Sequence, residues 1–291
     1  MSDEVRCVVD AHADIGESPV WDDHHHLLYW IDIPAKALHR FDPHTGHDAV
    51  WELPSEPGAV ALRAAGGVAL AMRDGFYGFD FMNPVLRLLA KLEGEPSTNR
   101  LNDGRADVAG RFWSGTVNEA AREPTGALYC LGTDRKISKK IAGIAVSNSL
   151  CWSPDAKTMY HADSFTWKIQ AWDFDAATGE IANPRIFVDV PRDRGFSDGA
   201  TIDAEGCLWA AHWGEGEVKR YDPAGALMRI VQLPVTNLTC PCFGGPDLTT
   251  LYVTSATFRL TDAQRAAQPQ AGGLFAIETE VKGLPEHRYR G

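Results

Sequence analysis

Six β-rich units of forty to fifty residues constrain this chain more than any other feature of it. Glu17-Ser-Pro-Val-Trp-Asp22, Asn102-Asp-Gly-Arg-Ala-Asp107, Asn148-Ser-Leu-Cys-Trp-Ser153 and Asp198-Gly-Ala-Thr-Ile-Asp203 each begin with a carboxylate or an amide and reach a turn former five residues on. Each then runs into an aromatic strand: Leu27-Leu-Tyr-Trp30, Arg111-Phe-Trp113, Thr158-Met-Tyr160 and Cys207-Leu-Trp209. Two more units fit the gaps. One starts at Ala59 and leads to Val68-Ala-Leu-Ala-Met72; the other starts near Cys240 and leads to Thr250-Leu-Tyr-Val-Thr254. Starts at 17, 59, 102, 148, 198 and 240 are separated by 42, 43, 46, 50 and 42 residues. A later strand also recurs six times, as in Ala37-Leu-His-Arg-Phe-Asp42 and Lys168-Ile-Gln-Ala-Trp172, often followed by an Asp-rich turn.

Repeats of this length built from short strands predict a six-bladed β-propeller, all-β, with residues 1–291 forming one domain. Val5-Arg-Cys-Val-Val9 is expected to pair into the last blade and close the ring, which removes an open sheet edge. The one helical stretch runs from Leu260 to Gln268, with Thr261 or Asp262 as its cap.

In a propeller the innermost strand of each blade lines a central channel, so residues where those strands begin surround one mouth. Four of the six starts carry oxygen (Glu17, Asn102, Asn148, Asp198), whereas Ala59 and Cys240 do not. Two carboxylates and an amide, from Glu17, Asn148 and Asp198, suit a hard divalent ion with open positions for water or substrate. No His or Cys joins them, which argues against a closed structural zinc site. Arg100 precedes Asn102 by two residues and is placed either to hold a substrate oxygen or to pair with a nearby acid.

Composition narrows the function classes. The net charge of −11 disfavours non-specific nucleic-acid binding, and 44% hydrophobic residues suffice for a large core. The polar, acidic start Met1-Ser-Asp-Glu and the lack of a long apolar run predict neither an export signal nor a membrane span. Six scattered cysteines without paired CxxC motifs are read as reduced thiols in the cytoplasm, Cys240-Pro-Cys242 included. His24, His25 and His26 lie in a turn and are expected to be solvated, while His161 and His212 end strands that could approach the mouth. No Gly-x-Ser-x-Gly motif is present, which lowers a serine-esterase reading.

Gly16-Glu-Ser-Pro-Val-Trp21, Asn99-Arg-Leu-Asn-Asp-Gly104, Arg111-Phe-Trp-Ser-Gly-Thr116, Ser147-Asn-Ser-Leu-Cys-Trp-Ser-Pro-Asp155 and Ser197-Asp-Gly-Ala-Thr-Ile-Asp-Ala-Glu-Gly206 together resemble the gluconolactonase family, which includes the senescence marker protein (regucalcin). The resemblance covers nearly the whole chain, with Phe196-Ser-Asp198 standing where a Pro-Asp pair is frequent. It implies a propeller with one divalent ion (calcium, zinc, manganese, magnesium or ferrous iron) that hydrolyses sugar lactones. By resemblance Glu17, Asn148 and Asp198 are metal ligands, and Arg100, Asn102 and, more loosely, Glu119 contact substrate; Asp198, placed beside the ion, is then expected to be the catalytic residue that takes the proton from the attacking water. Two alternatives stay open: a broader ester or organophosphate hydrolase, and a non-catalytic calcium-binding propeller. Neither the sugar nor the oligomeric state is legible.

Overall fold

The computed structural model describes residues 4–119 and 123–291. Met1–Asp3, part of the polar N-terminal stretch, and the loop residues that follow Glu119 lie outside the described residues. The architecture is a six-bladed β-propeller: six antiparallel sheets of four strands each. Their innermost strands are Gly16–Asp22, Pro57–Leu62, Asn99–Ala106, Ser147–Trp152, Phe196–Ile202 and Leu238–Gly244, belonging to blades 1 to 6 in order. The ring closes as expected. Val5–Val9 adds the outer strand of blade 6 by pairing antiparallel with Leu274–Glu278. The helix is Asp262–Ala267, and Thr261 caps it in a reciprocal box with Gln264.

Each strand alternates its side chains between two faces, so a blade has two apolar faces to bury. Six hydrophobic clusters among the described residues meet that need, one between each pair of neighbouring blades. Trp113, Leu128, Leu150, Trp152 and Met159, for example, join blades 3 and 4. The aromatic strands of the repeat supply these interfaces, which is why Trp21, Trp30, Trp113 and Trp209 are fully buried.

The repeated aspartates anchor the far ends of the inner strands. The Asp107 carboxylate accepts backbone N–H bonds from Ala109 and Arg111, the Arg111 Nε at 2.6 Å and the Trp113 indole N–H at 2.8 Å. Asp203 repeats the arrangement with Glu205, Cys207, Arg220 and Trp209. Asp22 instead accepts from Arg288 of the C-terminal segment. That segment crosses this end of the ring, bridging Asp203 to Gly283 and Arg63 to Tyr289, and sends Glu286 to Arg105 at 2.8 Å. The channel is therefore sealed at the end opposite the strand starts.

The six starts do not share one register. Each inner strand carries an irregularity near its beginning. Glu17 and Asn148 are the last paired residues before the bulge, opposite Ile31 and Ala162. Asn102 and Asp198 sit one residue later, inside it, after Leu101 and Ser197. Ala59 already pairs beyond it, with Ala71. In blade 2 the corresponding place is Gly58, where a Cβ would lie 2.1 Å from the Leu101 carbonyl oxygen, so no side chain fits. Spacing to the next turn cannot reveal such an offset, because it depends on where in the strand the extra residue is inserted.

Replacing Asp107 by alanine would leave the Arg111 Nε and the Trp113 indole N–H without acceptor. We expect Asp107→Ala to lose about 3–5 kcal/mol in denaturant unfolding. Asp134→Ala, at an exposed turn, should leave the midpoint unchanged.

Candidate functional site

The bulges determine where the polar side chains go. Ser18 and Ser149, directly after Glu17 and Asn148, adopt left-handed backbone at φ of 50° and 57°. Such conformations are costly for a residue with a Cβ and gather at functional sites. Here both serine hydroxyls cross to the next blade: Ser18 Oγ accepts the Val60 N–H at 2.9 Å, and Ser149 Oγ donates to the Asp198 carbonyl. The bulges follow directly on Glu17 and Asn148, which stay paired in their ladders while their side chains line the channel mouth.

Glu17, Arg100, Asn102, Glu119, Asn148 and Asp198 line one cavity of about 360 Å³ at the mouth where the inner strands begin. All six side chains singled out in the sequence thus come together. Arg100 is buried and donates through Nε to Glu119 Oε1 at 2.8 Å and through Nη1 to Asn102 Oδ1 at 2.8 Å. Asn102 Nδ2 then donates to Ser147 O at 2.9 Å and to Asn148 Oδ1 at 3.2 Å. Asn148 Nδ2 donates to Ser164 Oγ at 2.8 Å, which fixes its amide oxygen on the Asn102 side. Arginine 100 therefore both faces the cavity and pairs with an acid, as its two readings allowed.

Glu119 is engaged on both oxygens. Arg73 Nη2 donates to Oε2 at 2.6 Å, while Arg73 Nε holds Glu56 at 2.8 Å. Burial would raise the Glu119 pKa, but the hydrogen bonds and charges of Arg73 and Arg100 hold it below the ordinary value. Arg73 and Glu56 belong to this network, and the sequence reading missed both. Arg73 follows the second strand of blade 2, Val68–Met72, and Glu56 precedes its inner strand, Pro57–Leu62; the repeat start of that blade carries no polar side chain. Missed as well was Asp103, next to Asn102. It is buried in the channel, accepts the Leu150 N–H at 2.9 Å, and burial pushes its pKa up to about 6. An acid adjacent to Asn102 was visible, but simple alternation would have turned it away from the channel.

The electrostatics of Glu17 and Asp198 are unusual. Both are buried, and burial holds each well above the ordinary carboxylate range. For Glu17 the charges of Asp198 and then Asp103 add to this; for Asp198 the charge of Asp103 does. Among the described residues no protein donor reaches the Asp198 carboxylate. Two repelling carboxylates beside an amide oxygen form a donor set that a hard divalent cation satisfies. Two other groupings of potential ligands do not have this character. Asp22, Asp23 and His24 are neutralised by Arg288, and Asp203, Glu205 and Cys207 by Arg220.

His161 and His212 stay out of the cavity. His161 Nε2 bonds Ser147 Oγ at 2.9 Å, and burial lowers its pKa to about 4. His212 lies between Lys219 and Tyr221, and burial followed by the Lys219 charge takes it to about 3. Both belong to second strands, which the inner strands screen from the channel. The turn histidines 24 to 26 are exposed, with His25 Nδ1 bonded to Asp22 at 2.8 Å. All six cysteines are free.

Comparison with known proteins agrees with the fold. Residues 15–257 match the family described as SMP-30/Gluconolactonase/LRE-like region. The chain is 37% identical to regucalcin of Xenopus laevis over 99% of both proteins. It is similar to the crystal structure of a calcium-binding protein, regucalcin, from Agrobacterium tumefaciens, with a TM-score of 0.96 and 35% identity over 100% of this chain and 99% of that one. A luciferin-regenerating enzyme superposes with a TM-score of 0.92 at 29% identity, covering 100% of both. The chain belongs to the SMP-30/gluconolactonase family.

Proposed function

We propose that this protein hydrolyses a sugar-derived aldonolactone to the aldonic acid, using one divalent ion held by Glu17, Asn148 and Asp198. The observation that carries this reading is the pair of buried, mutually repelling carboxylates at the base of a cavity that Arg100 and Asn102 also line. A bound ion would supply Lewis-acid stabilisation for the charge that develops on the lactone carbonyl oxygen. The remaining work falls to the chain. Asp198, without a protein donor, takes the proton from the attacking water. Arg100 Nη2 has no protein acceptor among the described residues and is available to a substrate oxygen. Asn102 links Arg100 to Asn148, so the residues that orient substrate and those that hold the ion form one hydrogen-bonded unit. Glu119 tethers Arg100 as well as bordering the substrate.

The partner in this reading is a small lactone. The net charge of −11 disfavours nucleic acid, and no helix among the described residues is long and apolar enough to cross a membrane. Six free thiols favour a cytoplasmic, reducing setting within sugar catabolism. A second reading, a non-catalytic calcium-binding propeller, draws on the description of the Agrobacterium relative as calcium-binding. The Arg100–Asn102–Glu119 network weighs against it, since ion binding alone needs none of these groups.

The deciding experiment strips the protein with a chelator, then follows acid release from five- and six-membered aldonolactones as single divalent ions are restored. Hydrolysis lost on chelation and recovered with one ion supports the proposal. Tight calcium binding with no turnover of any lactone transfers the assignment to the calcium-binding reading, and turnover of simple aryl or phosphate esters alone to a broader hydrolase.

Asp198→Ala should lower kcat by about 10²–10⁴ and weaken ion binding measured by calorimetry. Arg73→Ala frees Glu119 Oε2 and loosens Arg100; kcat/KM should fall about tenfold while the ion affinity holds. The raised pKa values of Glu17, Asp103 and Asp198 also give a signed pH effect. The unfolded chain ionises these groups near pH 4, before the folded chain does. Without metal, stability therefore falls as the pH rises from about 4 through the Asp103 value of about 6 and on toward those of Glu17 and Asp198. Saturating ion should remove that fall, and thermal melting across this range in chelator and in metal measures it.

A further inference from the structure

The cavity is divided across the ring. Glu56, Arg100, Asn102 and Glu119 stand on the side of blades 2 and 3. Facing them, from blade 5, are Phe196 and Trp213. Phe196 opens the inner strand that carries Asp198, two residues before it, and Trp213 is its cross-strand partner. Their rings stack with centroids 6.2 Å apart and planes 6° from parallel. Phe165, from the 3-10 turn Ser164–Thr166 of blade 4, meets Phe196 edge-on at 6.0 Å. Phe258 of blade 6 extends the aromatic side, with the Arg259 guanidinium over its ring at 5.2 Å on the rim.

Phe196 and Trp213 are each only partly buried. They pack on each other and still present aromatic surface to the cavity. A hydroxyl pressed against that surface loses its water and gains no partner, whereas a methyl or methylene group gains contact. Apart from the Glu17–Asn148–Asp198 group that faces the ester carbonyl and Arg259 on the rim, the groups able to take hydroxyls lie on the other side.

Resting on the lactonase reading above, we infer that the substrates are lactones with one unhydroxylated arm, such as deoxyaldonolactones or alkyl-substituted lactones, and that Phe196 and Trp213 select them. The hydroxylated edge of the ring faces Arg100 and Asn102, the ester carbonyl faces the Glu17–Asn148–Asp198 group, and the hydrocarbon arm lies along the Phe196–Trp213 pair. Fully hydroxylated lactones of the same ring size fit less well.

The test compares a 6-deoxyhexono-δ-lactone with its 6-hydroxy parent on metal-loaded protein, by kcat/KM. It also measures, by calorimetry, binding of the two matching lactams, which keep ring and arm but resist hydrolysis. The expected preference for the deoxy compound is about tenfold or more in both assays. Phe196→Ala and Trp213→Ala should abolish it, and Trp213→Phe, which keeps an aromatic face, should retain it; circular dichroism verifies that each variant is folded. Equal or reversed preference in the unmodified protein, or an unchanged preference in both folded alanine variants, overturns the inference. The two readings fail separately. Deoxy-selective lactam binding without hydrolysis of any lactone sinks the lactonase reading and leaves the aromatic selection standing. Lactone hydrolysis with no deoxy preference does the reverse.

Discussion

Closure of the ring is the constraint on which everything else rests. Neighbouring inner strands belong to separate sheets and share no backbone ladder. They are joined by apolar packing between blades and by side chains that bond the backbone next door. Ser18 accepts from Val60, Asn102 donates to the Ser147 carbonyl, Ser164 to that of Ser197, and Thr239 to that of Gly16. Such bonds hold only if every blade keeps its angle to the next. The pairing of Val5–Val9 with Leu274–Glu278 ties the two ends of the chain into one sheet and keeps the circle from opening. Because Glu17, Asn102, Asn148 and Asp198 come from four different blades, their cavity exists only in the closed ring.

Closure also sets the electrostatics. The inner strands converge so that burial raises the proton affinity of Glu17, Asp103 and Asp198, and the charge of Asp103 adds to this at Glu17 and Asp198, as that of Asp198 does at Glu17. The Arg100 charge acts on Glu17 and Asp198 but is itself held by Glu119 and Asn102, while Arg105 acts on Asp103. The far end of the channel carries its own ion pair. There Arg105 pairs with Glu286 and also bonds Thr201 and the Ala200 carbonyl. The C-terminal segment thus stabilises one end of the channel while the other stays open and charged.

Arg73 and Glu56 extend the site to blade 2, which has no polar side chain at its own strand start. The blade contributes from outside the ring of starts through a second layer of ion pairs. Across the cavity, blades 4, 5 and 6 contribute aromatic residues, and the charged groups there are Asp198 of the ion-binding group and Arg259 on the rim. The cavity is polar where the hydrogen-bonded network runs and apolar where blade 5 presents its ring pair.

The blade count, the order of strands, the closing N-terminal strand, the Thr261-capped helix and the four polar strand starts Glu17, Asn102, Asn148 and Asp198 are legible in local information: alternation along strands, turn residues after them, and a repeat whose period reports one blade. Glu119 is legible only through the family resemblance, which also gave Arg100 its substrate role. Tertiary structure decided what local pattern cannot encode. Bulges placed Asn102 and Asp198 one residue out of step with Glu17 and Asn148, and turned Asp103 inward. His161 and His212, which reach strand ends in the sequence, were screened by the strands in front of them. Arg73, Glu56 and the Phe196–Trp213 pair joined the site through contacts across blades. The physical reason is the same in each case. Periodicity fixes the face on which a side chain stands, but its partner comes from whichever blade the closed ring brings opposite, and that depends on distances the chain acquires only when folded.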